Sequence, residues 1–285
     1  MIKIVKYFLE AIIIYLFFLF GKLIGLTFSR KLFSFIFKKV GPLIKSSEVT
    51  NKNLNIYNQK LSNDSKRIIL NNMWSNFGMT FIEYIYLSKF KNENFHTNIV
   101  GKEILDKIAF EKNPVIFVSG HFANFELMSM EITKNKIDLA TIYRPLNNIF
   151  LNPFMEYLRK KYVCSNQIKK GLNGVKESIK YINQGVSIAL MIDQRVSEGQ
   201  KLKFFNKDCF TTTLPAQLAI KYNLKIVPVY IEREKNNFFN IEFYNPINVR
   251  EFKNKLDLSK KLNLILEQMI LKNPNQWIWT HDRWK

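Results

Sequence analysis

Apolar residues run almost unbroken from Tyr7 to Phe28, YFLEAIIIYLFFLFGKLIGLTF, and then give way to segments in which helical and strand periods alternate. The first stretch is long enough to cross a hydrocarbon core of roughly 30 Å at about 1.5 Å per residue. Glu10 and Lys22 interrupt it, and a helix lying in the membrane interface fits the pattern as well as a spanning one. A cleaved signal peptide fits less well, because the apolar run exceeds a usual signal core and no small-residue cleavage site follows. Lys22, Arg30, Lys31, Lys38, Lys39 and Lys45 lie late in the stretch or after it, against Lys3 and Lys6 before it. That asymmetry predicts that the remainder of the chain faces the cytoplasm. Phe33, Phe35, Ile36 and Phe37 among those cations predict a second, interfacial element. Residues 1–45 thus read as a membrane anchor and 46–285 as one α/β domain.

Beyond Gly41-Pro42 the composition turns polar, and Ser46 to Lys60 reads as a linker or a short helical turn. Ser62 is placed to cap a helix carrying Ile68, Ile69, Met73, Phe77, Phe81 and Ile85 at helical spacing. From Thr97 onward short β-branched runs alternate with helices. Strands are predicted at 98–100, 115–119, 138–143, 186–192 and 226–231, with 239–244 as an edge strand. Helices are predicted at 102–110, from Asn124, and near 150–162, 172–181, 213–222 and 256–271. This order predicts a mostly parallel central sheet flanked by helices. Ligands of such sheets bind beyond the carboxyl ends of the strands, where His121, Arg144 and Asp193 all fall.

Composition narrows the partners. The formal net charge of +20 exceeds anything folding requires and points to anionic partners: lipid, an acidic carrier protein or nucleic acid. Cations scattered through a patterned α/β chain, rather than grouped on one element, argue against nucleic acid. Cys164 and Cys209 form no CxxC pair, which fits a reducing compartment.

The segment Pro114 to Met128, PVIFVSGHFANFELM, carries the chemistry. A buried strand runs through Gly120 into His121, then into a helix bearing Glu126. With the helix starting near Asn124, the spacing predicts that Glu126 receives one ring N–H and leaves the other nitrogen free as a base. No GxSxG elbow, phosphate-binding loop or GxGxxG turn occurs, and three histidines without an HExxH pattern predict no metal site. Direct attack of a substrate hydroxyl on an activated acyl group is the simplest reaction these residues allow, and no cofactor is expected.

GHFANFE resembles the HX4(D/E) signature of the glycerolipid-type acyltransferases, and its wording is similar to that of the lipid A biosynthesis (late) acyltransferase family. YRPLNN at 143–148, ALMIDQR at 189–195, FFNKDCFTTTLPAQLA at 204–219 and the terminal PNQWIWTHDRW follow in that family's order. The resemblance implies transfer of a fatty acyl chain from acyl carrier protein, or acyl-CoA, to a hydroxyl of a lipid A precursor glycolipid. The reaction would occur at the cytoplasmic face of the inner membrane. By position it makes His121 the general base and Glu126 its orienting carboxylate, with Arg144, Asp193, Gln194 and Arg283 as substrate-binding or crevice residues. Departures such as Asp208-Cys209 leave acyl length open. An enzyme acylating another glycolipid or an aminolipid is the first alternative; a membrane-tethered nucleic-acid-binding protein is a remote one.

Overall fold

A computed structural model describes residues 2–285. Its first helix, α1 (Ile2–Ile44), bends at Gly25, whose φ of +78° is a left-handed conformation that glycine adopts without a Cβ clash. Two helical arms result in place of one straight rod. The arms pack on α3 (Asn63–Glu83), where a Cβ at Gly78 would collide with the Phe33 carbonyl, so the two backbones touch. Ser62 caps α3 as its sequence predicts, accepting the Ser65 N–H at 3.1 Å. Of the two readings of the next segment, a linker or a short helical turn, the helical one holds and is longer than expected: α2 (Ser47–Tyr57) has 11 residues. Tertiary contacts fix it: Leu54 is buried, and the Asn53 amide donates to the carbonyls of Trp279 and His281, each at 2.8 Å.

A short α4 (Leu87–Asn92) leads into the alternating part: β1 (Thr97–Val100), α5 (Lys102–Glu111), β2 (Ile116–Ser119), α6 (Glu126–Lys134), β3 (Leu139–Tyr143) and α7 (Asn152–Leu158). The chain continues as β4 (Asn166–Lys169), α8 (Leu172–Asn183), β5 (Ser187–Met191), the hairpin β6 (Gln200–Phe204) and β7 (Lys207–Thr211), α9 (Leu214–Tyr222), β8 (Ile226–Arg233), β9 (Phe239–Phe243) and α10 (Lys255–Lys272). Seven strands form one sheet in the order β1-β9-β8-β2-β5-β3-β4. Five of them, β8 through β4 in that order, are mutually parallel, while β9 and β1 run the other way. β2 is buried along its whole length, as expected for the centre of a sheet covered on both faces. β9 is not the edge strand its alternation suggested, because β1 pairs along its outer side.

α1 is long and apolar enough to cross a membrane, and most of that apolar surface is not covered by protein. Its second arm is tied to the sheet by charge. Glu83, wholly buried at the end of α3, accepts from Arg30 at 2.6 Å and from Arg233 of β8, and it receives the Asn124 amide at 2.9 Å. Burial alone would raise the Glu83 pKa, but the two guanidiniums hold it below the usual range. Its contribution to stability is therefore present above the unfolded carboxylate's pKa of about 4.3 and is lost as pH falls toward the depressed folded value. Glu83→Gln leaves two buried cations without a counter-charge and should cost about 3–5 kcal/mol, read as a lower urea midpoint at unchanged slope.

Candidate active site

Register brings the first two site groups together. β2 and β5 pair in parallel with Ser119 opposite Met191, so His121 and Asp193, each two residues further on, leave the same edge of the sheet side by side. The His121 ring Nδ1 donates to Asp193 Oδ1 at 2.8 Å, and the His121 backbone N–H donates to Oδ2 at 2.8 Å. Trp277 adds its indole N–H to Oδ2 at 2.9 Å. With Nδ1 committed to a carboxylate, Nε2 is the nitrogen left to act as a base. The His121 side chain keeps 19% of its surface exposed, whereas Asp193 keeps 3%.

Charge and burial oppose each other here. Burial pulls the His121 pKa down, but the adjacent Asp193 carboxylate outweighs it and leaves the imidazole above its ordinary value, with Glu126 adding in the same sense. For Asp193, burial pushes upward, while the charge and hydrogen bonds of His121 and the Trp277 indole bring it down to about 2. The carboxylate stays ionised throughout the physiological range, fixes the tautomer and stabilises the imidazolium.

Glu126 does not receive the ring proton, a correction to the spacing argument. α6 starts only at Glu126, and residues 121–125 follow a path in which Ala123 takes a φ of +41°, so the helical offset assumed between the two side chains does not exist. Glu126 instead accepts from Tyr84 at 2.5 Å and from Arg159 Nε at 2.7 Å. Arg159 stands at the junction of α7 with a π-helical turn, Arg159–Val163, a local widening often found at functional sites. The loop is clamped from both sides. The Ala123 carbonyl accepts from Thr80 at 3.0 Å, and its N–H reaches the Gln276 carbonyl at 3.2 Å. Left-handed backbone at a residue with a Cβ is strained, and such contacts are what hold it in place.

The remaining predicted residues separate. Arg144 follows the carboxyl end of β3, two strands from β2, roughly 10 Å away at the usual strand spacing. It is exposed and makes no ion pair or hydrogen bond among the described residues. Gln194 is half-buried beside Asp193. Arg283 is wholly buried: its guanidinium donates to the Phe210 carbonyl and to the Thr211 hydroxyl, and it lies 5.2 Å from the centre of the Phe204 ring. Its surface is wholly covered, so it offers substrate none, and its bonds tie the chain's last residues to β7. Burial lowers its pKa. Tyr84, Arg159 and Trp277 carried no local signal of a site role; only the position of Trp277 in the terminal block set it apart. A cavity of about 790 Å³ opens at the other end of the sheet between Lys107, Asn113, Tyr222 and Lys225, away from His121.

Comparison with known proteins bears on this arrangement. The family described as bacterial lipid A biosynthesis acyltransferase matches residues 2–285. Among curated proteins no sequence matches. A solved structure, the 1-acyl-sn-glycerophosphate (LPA) acyltransferase PlsC from Thermotoga maritima, is similar at 14% identity, with 89% of this chain and 99% of that chain covered and a TM-score of 0.42. The family match spans α1, the sheet and the terminal tryptophan segment alike, and the chain belongs to the bacterial lipid A biosynthesis acyltransferase family.

Proposed function

We propose that the protein transfers a fatty acyl chain from acyl carrier protein, or acyl-CoA, to a hydroxyl of a lipid A precursor at the cytoplasmic face of the inner membrane. The observation that carries the reading is the His121 imidazole, partly exposed at the carboxyl edge of the sheet, with its Nδ1 held by a buried carboxylate. Nε2 takes the proton of the acceptor hydroxyl as that oxygen attacks the thioester carbonyl. The C–O ester bond forms, the C–S bond breaks, and the proton passes from the imidazolium to the departing sulfur. Asp193 stabilises the imidazolium between these transfers. Glu126 acts at one remove: its buried charge favours the same imidazolium, and Arg159 and Tyr84 hold it in place.

Such an acceptor cannot leave its bilayer without exposing hydrocarbon, at about 0.8 kcal/mol per methylene, so the enzyme must meet it there. Residues 1–45 serve as the anchor and 46–285 as the catalytic domain. Arg144, exposed and unpaired beside the crevice, suits a phosphate of the acceptor or of the donor arm. Arg144→Ala should raise KM by roughly ten- to a hundredfold with a smaller change in kcat, the loss expected for one charge-assisted contact. Unchanged steady-state constants would leave Arg144 without a substrate role.

The test of the whole reading is direct. Purified enzyme is given acyl carrier protein thioesters and, separately, acyl-CoA, with membrane-extracted glycolipid as acceptor, and the products are weighed by mass spectrometry. A mass gain of one acyl chain on the glycolipid supports the assignment. Transfer to glycerophospholipids or aminolipids alone would replace it with the nearest alternative.

A further inference from the structure

The contacts of the first arm of α1 bear on whether it crosses the bilayer or lies in it. One stripe of this arm faces protein along nearly its full length. The Tyr7 carbonyl accepts the Asn148 amide at 2.8 Å, the Tyr15 hydroxyl donates to the Phe150 carbonyl at 2.8 Å, and the Gly21 carbonyl accepts the Tyr86 hydroxyl at 2.7 Å. Phe8 meets Phe150 edge-on at 5.4 Å, and Phe18 packs on Phe81 and Phe154. From Tyr7 to Gly21 at 1.5 Å per residue, this contact runs for about 20 Å. A helix perpendicular to the membrane with that contact would draw the loop 148–151, with its backbone carbonyls and Asn148, into hydrocarbon.

The opposite stripe is apolar throughout: Leu9, Ile13, Leu16, Phe20 and Leu23 recur at helical spacing, and Leu16 is 59% and Leu23 76% exposed. Glu10 is the single acidic residue of α1, against Lys3, Lys6, Lys22, Lys31, Lys38 and Lys39 among its cations. Only Lys6 faces Glu10, at 3.9 Å, and an apolar face edged by such an excess of lysines complements an anionic phospholipid surface. The same surface continues onto the loop after β3, where Leu146 is 41% and Ile149 58% exposed on either side of the Asn148 that holds α1.

We infer that the first arm of α1 lies in the plane of a single anionic phospholipid leaflet, and that Leu146 and Ile149 enter the same leaflet beside the carboxyl edge bearing Arg144. The inference deepens the membrane part of the proposed function and stands on contacts independent of the chemistry. Loop insertion lowers the catalytic edge to headgroup depth, where a glycolipid presents its hydroxyls, and the chain stays on one side of the bilayer.

Two measurements test it without reading activity. Lys3→Cys and Asn94→Cys full-length proteins, in which the native cysteines are buried, are reconstituted in sealed phosphatidylglycerol-containing vesicles and treated with a membrane-impermeant maleimide. Both positions should label from the same side, and opposite sidedness would overturn the in-plane arrangement. The Leu146→Asp/Ile149→Asp double variant should bind such vesicles at least roughly tenfold more weakly while keeping its Tm and its turnover on detergent-dispersed substrate. Wild-type vesicle binding by that variant would remove the loop from the lipid-facing surface. Absence of acyl transfer in every protein would count against the proposed reaction and leave both of these results standing.

Discussion

His121→Ala is expected to lower kcat/KM for acyl transfer by roughly 10²–10⁴-fold, the usual contribution of a positioned general base, while Tm changes by no more than about 5 °C. The small stability effect follows from the surroundings. The ring is partly exposed, and after its loss Asp193 still accepts the His121 backbone N–H and the Trp277 indole, so no buried charge is left bare. A loss of activity accompanied by a collapse in Tm would make the histidine a scaffold residue. Partial recovery with added imidazole would tie the loss to the missing base.

The same group sets a pH limb. Only neutral imidazole accepts a proton, and the carboxylate of Asp193 keeps His121 protonated to higher pH than a free histidine. The rate should therefore climb with pH through a midpoint above the ordinary value of about 6.5. Linkage to stability has the opposite sense: the imidazolium–carboxylate pair contributes in full below the unfolded histidine pKa, and the contribution fades as pH rises through the raised folded one. Activity and stability should diverge across neutral pH, which parallel rate and melting profiles would reveal.

The parts of the site that are legible in sequence are those set by periodicity. Buried strands before His121 and Asp193 announce themselves as unbroken apolar runs, and their shared strand-end position already implies that the two side chains converge. Pairing of two specific atoms is a different matter. Glu126 is five residues from His121, Asp193 seventy-two, and a local helix offset looks more secure than a register nobody can read from one strand. The register is nevertheless what decides, because Ser119 opposite Met191 sets both strand ends level. β4, with the polar sequence NQIK, and the Lys-rich hairpin β6–β7 carry too little apolar contrast to stand out. Arg283 illustrates the converse: its place in the terminal block suggested a substrate-binding or crevice residue, yet the carbonyl and hydroxyl of β7 give it a buried seat. For α1 the sequence supplies apolarity but no direction, since the direction lies in contacts with residues more than a hundred positions away.

Asp193→Asn separates the two carboxylates most sharply. Oδ2 of Asp193 faces two donors, the His121 backbone N–H and the Trp277 indole, so an asparagine must place its carbonyl oxygen there and its NH₂ toward the ring. The NH₂ then donates to Nδ1, the ring proton shifts to Nε2, and the nitrogen facing substrate can no longer accept. A loss of roughly 10³–10⁴-fold in kcat is expected from the wrong tautomer alone, with little change in KM. Without the carboxylate, burial would dominate, and the residual activity should show its acid limb at lower pH than the wild type. Glu126→Gln keeps the ring tautomer, since its oxygen still accepts from Tyr84 and Arg159, and should cost less. If Asp193→Asn turned over normally while Glu126→Gln were dead, Glu126 would be the imidazole's partner in the working enzyme. The Nδ1 contact to Asp193 would then belong to the resting protein only.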